Sequence, residues 1–129
     1  MKNSPSLRVL VVDDEALIRW SLTEMLSEAG HAVAEAADGA AAMRALNDNG
    51  PFDVVVLDYR LPDSNDLNLL TAIRRHAPQT AVVMMTAYGT AEVTSGALAL
   101  GAYRVVSKPF EVTDLVALVA QSYDNRPGT

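Results

Sequence analysis

Leu7-Arg8-Val9-Leu10-Val11-Val12-Asp13-Asp14-Glu15 opens the body of the chain: a nearly continuous apolar run that stops on three acids. Residues 9–12 show no polar/apolar alternation, so both faces of such a strand must be covered, as in a parallel sheet. Four further apolar runs follow: His31 to Ala36, Val54 to Leu57, Thr80 to Met85 and Tyr103 to Ser107. The segments between them carry helical spacing. In Glu15 to Ala29 the stripe Ile18, Leu22, Met25, Leu26, Ala29 marks one helix face, and Gly30 supplies a left-handed stop. Asp38 is placed to cap Gly39 to Leu46, Asp66 to cap Leu67 to His76, and Thr90 to cap Ala91 to Leu100, with Gly101 after it. Leu69, Leu70 and Ile73 form the inner face of the third helix, and Pro78 ends that run. Thr113 or Glu111 opens a last helix to about Tyr123. Five β-α repeats imply one parallel sheet with helices on both faces and right-handed crossovers. Ligands of such open sheets sit beyond the C-terminal ends of the strands.

Composition narrows the function. The 129 residues include no cysteine, which removes disulfides, thiolate nucleophiles and cysteine-ligated metals. Ten Lys and Arg against sixteen Asp and Glu give a net charge of −6, so direct nucleic-acid binding by this chain is not expected. The apolar runs fall far short of the roughly 18 residues of a membrane span. Met1 to Ser6 lack the apolar core of a signal peptide. A cytoplasmic domain with no membrane role is the resulting expectation: residues 1–6 a tail, 7–123 the domain, 124–129 a tail or the start of a linker. Lys108 is the only lysine beyond the N-terminal tail.

The strand ends carry the chemistry. Asp13, Asp14 and Glu15 follow the first run, Asp58 the third, Thr86-Ala87 the fourth, and Ser107-Lys108-Pro109 the fifth. Singly, each has a plain reading: a solvated turn or helix cap for Asp13-Asp14, a strand exit for Asp58, a strand end for Thr86, a surface lysine for Lys108. Jointly they fall on one edge of the sheet. Crowded carboxylates repel, and one takes a proton unless a cation shares the site. An all-oxygen set favours Mg2+ or a similar hard cation. With an ammonium and a hydroxyl added, the set suits a phosphoryl group.

These residues resemble the receiver domains of two-component response regulators. The matching motifs are Val11-Val12-Asp13-Asp14-Glu15, Val56-Leu57-Asp58 with Leu61-Pro62, Met85-Thr86-Ala87 and Ser107-Lys108-Pro109-Phe110. The resemblance covers about Leu7 to Ser122. It implies a flavodoxin-like, doubly wound (βα)5 fold with five parallel strands. It further implies Asp58 as the phosphoacceptor and a Mg2+ held by Asp14, by Asp13 mostly through water, by Asp58 and by the backbone carbonyl of Arg60. Lys108 would pair with phosphoryl oxygens, Thr86 would move toward the phosphate, and the Lys108–Pro109 bond would be cis. The implied partner is a sensor histidine kinase or a histidine phosphotransfer domain. Such a receiver promotes its own phosphorylation and dephosphorylation without being a turnover enzyme. Leu17-Ile18-Arg19-Trp20-Ser21-Leu22 and Val83 to Thr90 are similar, more narrowly, to receivers of NtrC-type (sigma-54-dependent) transcriptional activators. There the receiver is joined to an ATPase and a DNA-binding domain, so the implied output, absent from this chain, is transcriptional. Phosphorylation would switch the surface from Thr90 to Tyr123, with a phosphorylation-induced homodimer as a possible consequence.

Two positions depart from the pattern. Val105 stands where receivers carry a switch aromatic, with Tyr103 the nearest aromatic. Asp66 replaces a glycine and reads as a helix cap, beside an Asn65 that tolerates left-handed geometry; a second acidic site at Asp63 and Asp66 is the lesser reading. Trp20 is open between rim packing and a kinase-docking surface with Leu17, Ile18 and Ser21. Tyr88 and Arg60 would flank the phosphoryl entrance, and neither His31 nor His76 is given a metal role. Two rivals remain. An aspartyl-phosphate hydrolase wants a carboxylate at position 60, where Arg60 stands. An interaction module without phosphorylation would have no need of the complete acidic set.

Overall fold

A computed structural model describes residues 6–87 and 89–126. The strands are β1 (Arg8–Val12), β2 (Ala32–Ala36), β3 (Val54–Asp58), β4 (Ala81–Thr86) and β5 (Arg104–Ser107). They alternate with α1 (Ala16–Glu28), α2 (Gly39–Asn49), α3 (Asn68–His76), α4 (Ala91–Ala99) and α5 (Val112–Asp124). All pairings are parallel, and the order is β2-β1-β3-β4-β5. The order reverses between β1 and β3, which makes the strand carrying Asp13 at its end the neighbour of the strand ending in Asp58.

The unbroken apolar runs are explained by two cores, one on each face. Leu10, Val12, Val55, Leu57, Val82 and Met84 pack with Ala42, Leu46, Leu70, Ile73 and Ala97 of α2, α3 and α4. The alternate positions Val9, Val11, Val54, Val56, Val83 and Met85 pack with Leu22 and Leu26 of α1 and Leu115 and Val119 of α5. Period-two side-chain direction therefore divides each strand between the layers, and neither face is left to water. β1, β3 and β4 are buried almost throughout, whereas β5, at the sheet edge, is half-exposed. Among the described residues no helix is long and apolar enough to cross a membrane.

The stops and caps follow local chemistry, with some shifts from expectation. Gly30 and Gly101 have φ of +96° and +104°, the left-handed geometry that ends α1 and α4. Asp38 accepts from Ala41 N at 2.7 Å and Thr90 from Val93 N at 3.2 Å, as N-caps do. α2 runs on to Asn49, three residues past Leu46. Glu111 occupies the N-cap position of α5 without a side-chain hydrogen bond. α3 starts one residue later than expected, with Leu67 at the N-cap position, but the Asp66 carboxylate still takes a first-turn N–H, accepting from Asn68 N at 2.9 Å and Asn68 Nδ2 at 3.1 Å. The left-handed geometry that Asn65 tolerates is not used, since no described residue other than glycine has positive φ. The isolated antiparallel bridge between Leu61 and Ser64 makes the turn instead. Asp63 forms no acidic site; its carboxylate takes the N–H groups of Gly39 and Ala40 at 2.8 and 3.0 Å. It thereby ties the loop after β3 to the N-terminus of α2, where the helix dipole favours a negative charge. Lys108–Pro109 is cis, as the resemblance implies, and so is Gly50–Pro51. Tyr88 and most of the two expected tails lie outside the described residues.

Leu57 is about 1% exposed and anchors β3 in the core beside Asp58. Leu57→Ala should cost about 2–5 kcal/mol of unfolding free energy, measured by urea denaturation.

Candidate phosphoacceptor and cation site

Each site residue stands where its strand runs out of neighbours. Asp13 leaves β1 with its N–H on Ala36 O at 3.1 Å. Asp58 ends β3, and the next residue, Tyr59, donates its N–H to Met85 O at 2.8 Å. Lys108 leaves β5 with its N–H on Thr86 O at 2.8 Å. The end of β4 thus fixes the backbones on both sides of it. Thr86 is itself fully buried and lies opposite Ser107 in the ladder. The loop after β4 runs close above: a Cβ on Gly89 would come within 2.9 Å of Ser107 Oγ and 3.7 Å of Thr86 Cγ2.

The expected residues converge. Carboxylate oxygens of Asp13, Asp14 and Asp58 lie within 4.8 Å of one another. Asp13 is buried, Asp58 about 5% exposed, and Asp14 open to solvent. Lys108 Nζ reaches Asp13 Oδ2 at 3.0 Å, Glu15 Oε1 at 3.1 Å and Asp58 Oδ2 at 3.2 Å. One ammonium with three hydrogens therefore faces three carboxylates. Asp13 Oδ1 accepts from Glu15 N at 2.8 Å, which turns its other oxygen toward Lys108.

Charge crowding leaves its mark on Asp58. Burial, then the negative charge of Asp13, push its carboxyl up to about 6, against the opposing pull of Lys108 and the Arg60 N–H. Burial alone would lower the Lys108 pKa, but the hydrogen bond to Asp13, the charges of Asp58 and Asp13, and the hydrogen bond to Glu15 outweigh it and raise it. Four acids share one lysine, so the site has an excess of negative charge that a divalent cation would neutralise. The donors are all oxygen, and one of the three clustered acids is open to water, which fits a hard ion that keeps part of its hydration shell. Arg60 meets Asp58 through its backbone N–H.

The sequence matches the response regulator receiver domain over residues 9–120. This chain belongs to that family. The receiver is 36% identical over 114 residues to the DNA-binding transcriptional regulator NtrC of Escherichia coli (strain K12), an alignment covering 88% of this chain and 24% of that protein. The receiver domain of NtrX from Brucella abortus superposes with a TM-score of 0.82 at 36% identity, over 90% of this chain and 98% of that one. A CheY-like receiver from Methanospirillum hungatei gives 0.87 at 27% identity, over 94% and 96%. The chain spans about a quarter of the length of the NtrC relatives it matches. Receivers of this family are phosphoacceptors of two-component systems, phosphorylated on an aspartate with Mg2+.

Some of the receiver's surroundings were not legible beforehand. Glu15 was read as one of three crowded acids, yet it is a direct partner of Lys108. Its signal was its place directly after Asp14. Tyr103 does not stand in for the missing switch aromatic: its hydroxyl lies 3.5 Å from Asn125 Nδ2, after α5. Val105 packs on the α2–α4 side of the sheet. Trp20 and Leu17 are 59% and 74% exposed, so neither packs in the core. His31 Nδ1 accepts from Leu7 N at 3.1 Å, a structural use.

Asp58 has a folded pKa above its ordinary value, so its ionisation opposes folding. Stability from this group is complete below about pH 4 and is lost as pH rises through about 6. Asp58→Asn should therefore stabilise the metal-free protein at pH 7.5 by roughly 1–2 kcal/mol, less than the full shift because water still reaches the site. The gain should shrink toward pH 4. Denaturation at the two pH values checks it. Mg2+ affinity should fall as pH drops through 6, with proton uptake by Asp58 competing, as a magnesium titration at pH 5 and pH 7.5 would show.

Proposed function

We propose that this domain takes a phosphoryl group onto Asp58 from the phosphohistidine of a sensor kinase or phosphotransfer domain, and passes the change to an output through its α4-β5-α5 surface. The observation that carries this reading is the meeting of Asp58, Asp13, Asp14 and Lys108 around one shared space at the sheet edge. A carboxylate oxygen of Asp58 attacks phosphorus, the P–N bond to the histidine breaks, and the imidazole leaves with the bonding pair. Lys108, already on the Asp58 carboxylate, takes up charge on the transferred oxygens. Asp13, Asp14, Asp58 and the Arg60 carbonyl are the proposed holders of Mg2+, which would supply charge neutralisation and hold the oxygens in line. Asp58 gives up its negative charge to the mixed anhydride, while the phosphoryl group brings new charge next to Lys108. Acceleration of phosphorylation and of later hydrolysis is thus built into the site, without turnover of a separate substrate.

Support for the switch comes from α4. It buries Ala97 alone, contains Gly96, and leaves Leu98 largely exposed. A helix with so little buried area is loosely held and shifts at low cost. Thr86, at the end of β4 beneath the loop leading to α4, is the proposed link from the phosphoryl group to that helix. Val105 is smaller than an aromatic, which leaves the β4–α4 loop and α4 as the main route.

Beside the acids, Leu17, Ile18 and Ser21 of α1 face Pro109, Phe110 and Val112 across a groove of about 460 Å³. This apolar groove next to Lys108 is the proposed seat of the histidine-bearing partner, with exposed Trp20 at its margin. Cytoplasmic placement, an output controlling transcription, and dimerisation on phosphorylation belong to the same proposal, on the strength of the NtrC relatives.

Asp58→Asn should abolish uptake of acid-labile phosphate from a small phosphodonor, and Lys108→Ala should reduce it by at least tenfold. Retention of label on Asp58→Asn overturns the assignment. Beryllofluoride with Mg2+ should shift the amide resonances of residues 90–123 in the wild type and leave Asp58→Asn unmoved.

A further inference from the structure

Asp14 is the exposed member of the acid cluster, so its aim must come from the backbone that carries it. That backbone is held from an unexpected side. Arg19, one turn into α1, donates from a terminal guanidinium nitrogen to the carbonyl oxygen of Asp13 at 2.6 Å. Its Nε donates to Glu35 Oε1 on β2 at 3.0 Å. The Arg19 side chain is only 20% exposed. The Asp13 carbonyl belongs to the peptide that joins Asp13 to Asp14, and the Asp13 N–H is already spent on Ala36 O. Both backbone polar groups of Asp13 are therefore tied to β2, one directly and one through the Arg19–Glu35 pair. A charge-assisted bond of this length, made by a guanidinium that a second bond holds in plane, leaves the Asp13–Asp14 peptide little freedom to rotate.

We propose that Arg19, braced by Glu35, is a positioning residue of the cation site: it fixes the Asp13–Asp14 peptide so that the Asp14 carboxylate faces the space shared with Asp13 and Asp58. The inference rests on the receiver reading of that site. Groups that orient metal ligands commonly change metal affinity by one to two powers of ten. Arg19 acts one step further out, through the main chain, so a loss of about 3- to 10-fold in Mg2+ affinity is expected when it is removed.

The sign of the effect separates positioning from charge. Arg19 is a cation near an acid cluster, and deleting a cation should by electrostatics alone tighten Mg2+ binding. Positioning requires the opposite. A purely structural role would lower the unfolding midpoint and leave the folded molecules with wild-type affinity.

The test is titration of magnesium chloride into 15N-labelled full-length chain, followed by the amides of residues 13–15, 58 and 108, for wild type, Arg19→Ala, Arg19→Gln and Glu35→Gln. The expected result is weakening of about 3- to 10-fold in both Arg19 variants and a smaller weakening in Glu35→Gln, with phosphorylation by a small donor restored at saturating Mg2+. Affinity equal to or tighter than wild type in the Arg19 variants overturns the proposal. If Arg19→Ala does not fold, Arg19→Gln, which keeps most of the side-chain stem, carries the same two outcomes. Failure of the wild type itself to bind Mg2+ would instead overturn the receiver reading beneath it.

Discussion

Everything at the working edge of this molecule depends on one ammonium among too many carboxylates. Lys108 Nζ lies within 3.2 Å of Asp13, Glu15 and Asp58, with Asp14 close by in the same cluster. The lysine offsets part of the repulsion and leaves the remainder in place. Burial first, and then that remainder, raise the Asp58 carboxyl. A site left short of positive charge stands ready for a divalent ion. The Asp58 carboxylate is mostly buried, and Lys108 and the Arg60 N–H oppose the rise of its pKa. Had a second lysine been supplied, the site would be more stable and less receptive to a cation.

Geometry at the site is held by the main chain more than by side chains. The carbonyls of Met85 and Thr86 hold the exits of β3 and β5, and Ala36 holds the exit of β1. Asp63 anchors the loop after β3 to α2, and Arg19 reaches the Asp13 carbonyl from α1. A well-held frame on β1, β3 and β4 thus stands beside an α4 that buries only Ala97, the contrast on which the proposed switch relies.

Much of this was legible along the chain because the signals were local and strong. Unbroken runs such as Val9 to Val12 and Val54 to Leu57 marked strands covered on both sides. Glycines at positions 30 and 101 marked stops with a required backbone geometry. Asp13, Asp14, Asp58, Thr86 and Lys108 stood out as polar residues at or just beyond the ends of the apolar runs. The failures were equally local. Asp66 takes the N–H of Asn68 at the start of α3, but the helix begins after Leu67, one residue later than the sequence pattern suggests. Asn65 tolerates left-handed geometry, but the Leu61–Ser64 bridge closes the turn without it.

By itself, the order of residues determined that strands and helices would alternate, that the sheet would be parallel, and which polar groups would gather at its C-terminal edge. Those outcomes follow from side-chain period, capping and strand length, all properties of short segments. Only the tertiary structure decided that Glu15 shares Lys108, that Arg19 grips the Asp13 carbonyl with Glu35 behind it, and that Asp63 serves α2 and not a metal. Each of these joins a charged side chain to a group 6 to 93 positions away in sequence. Long, flexible side chains reach many partners, and the choice among them is made by strand order, register and burial once the chain has closed around its core.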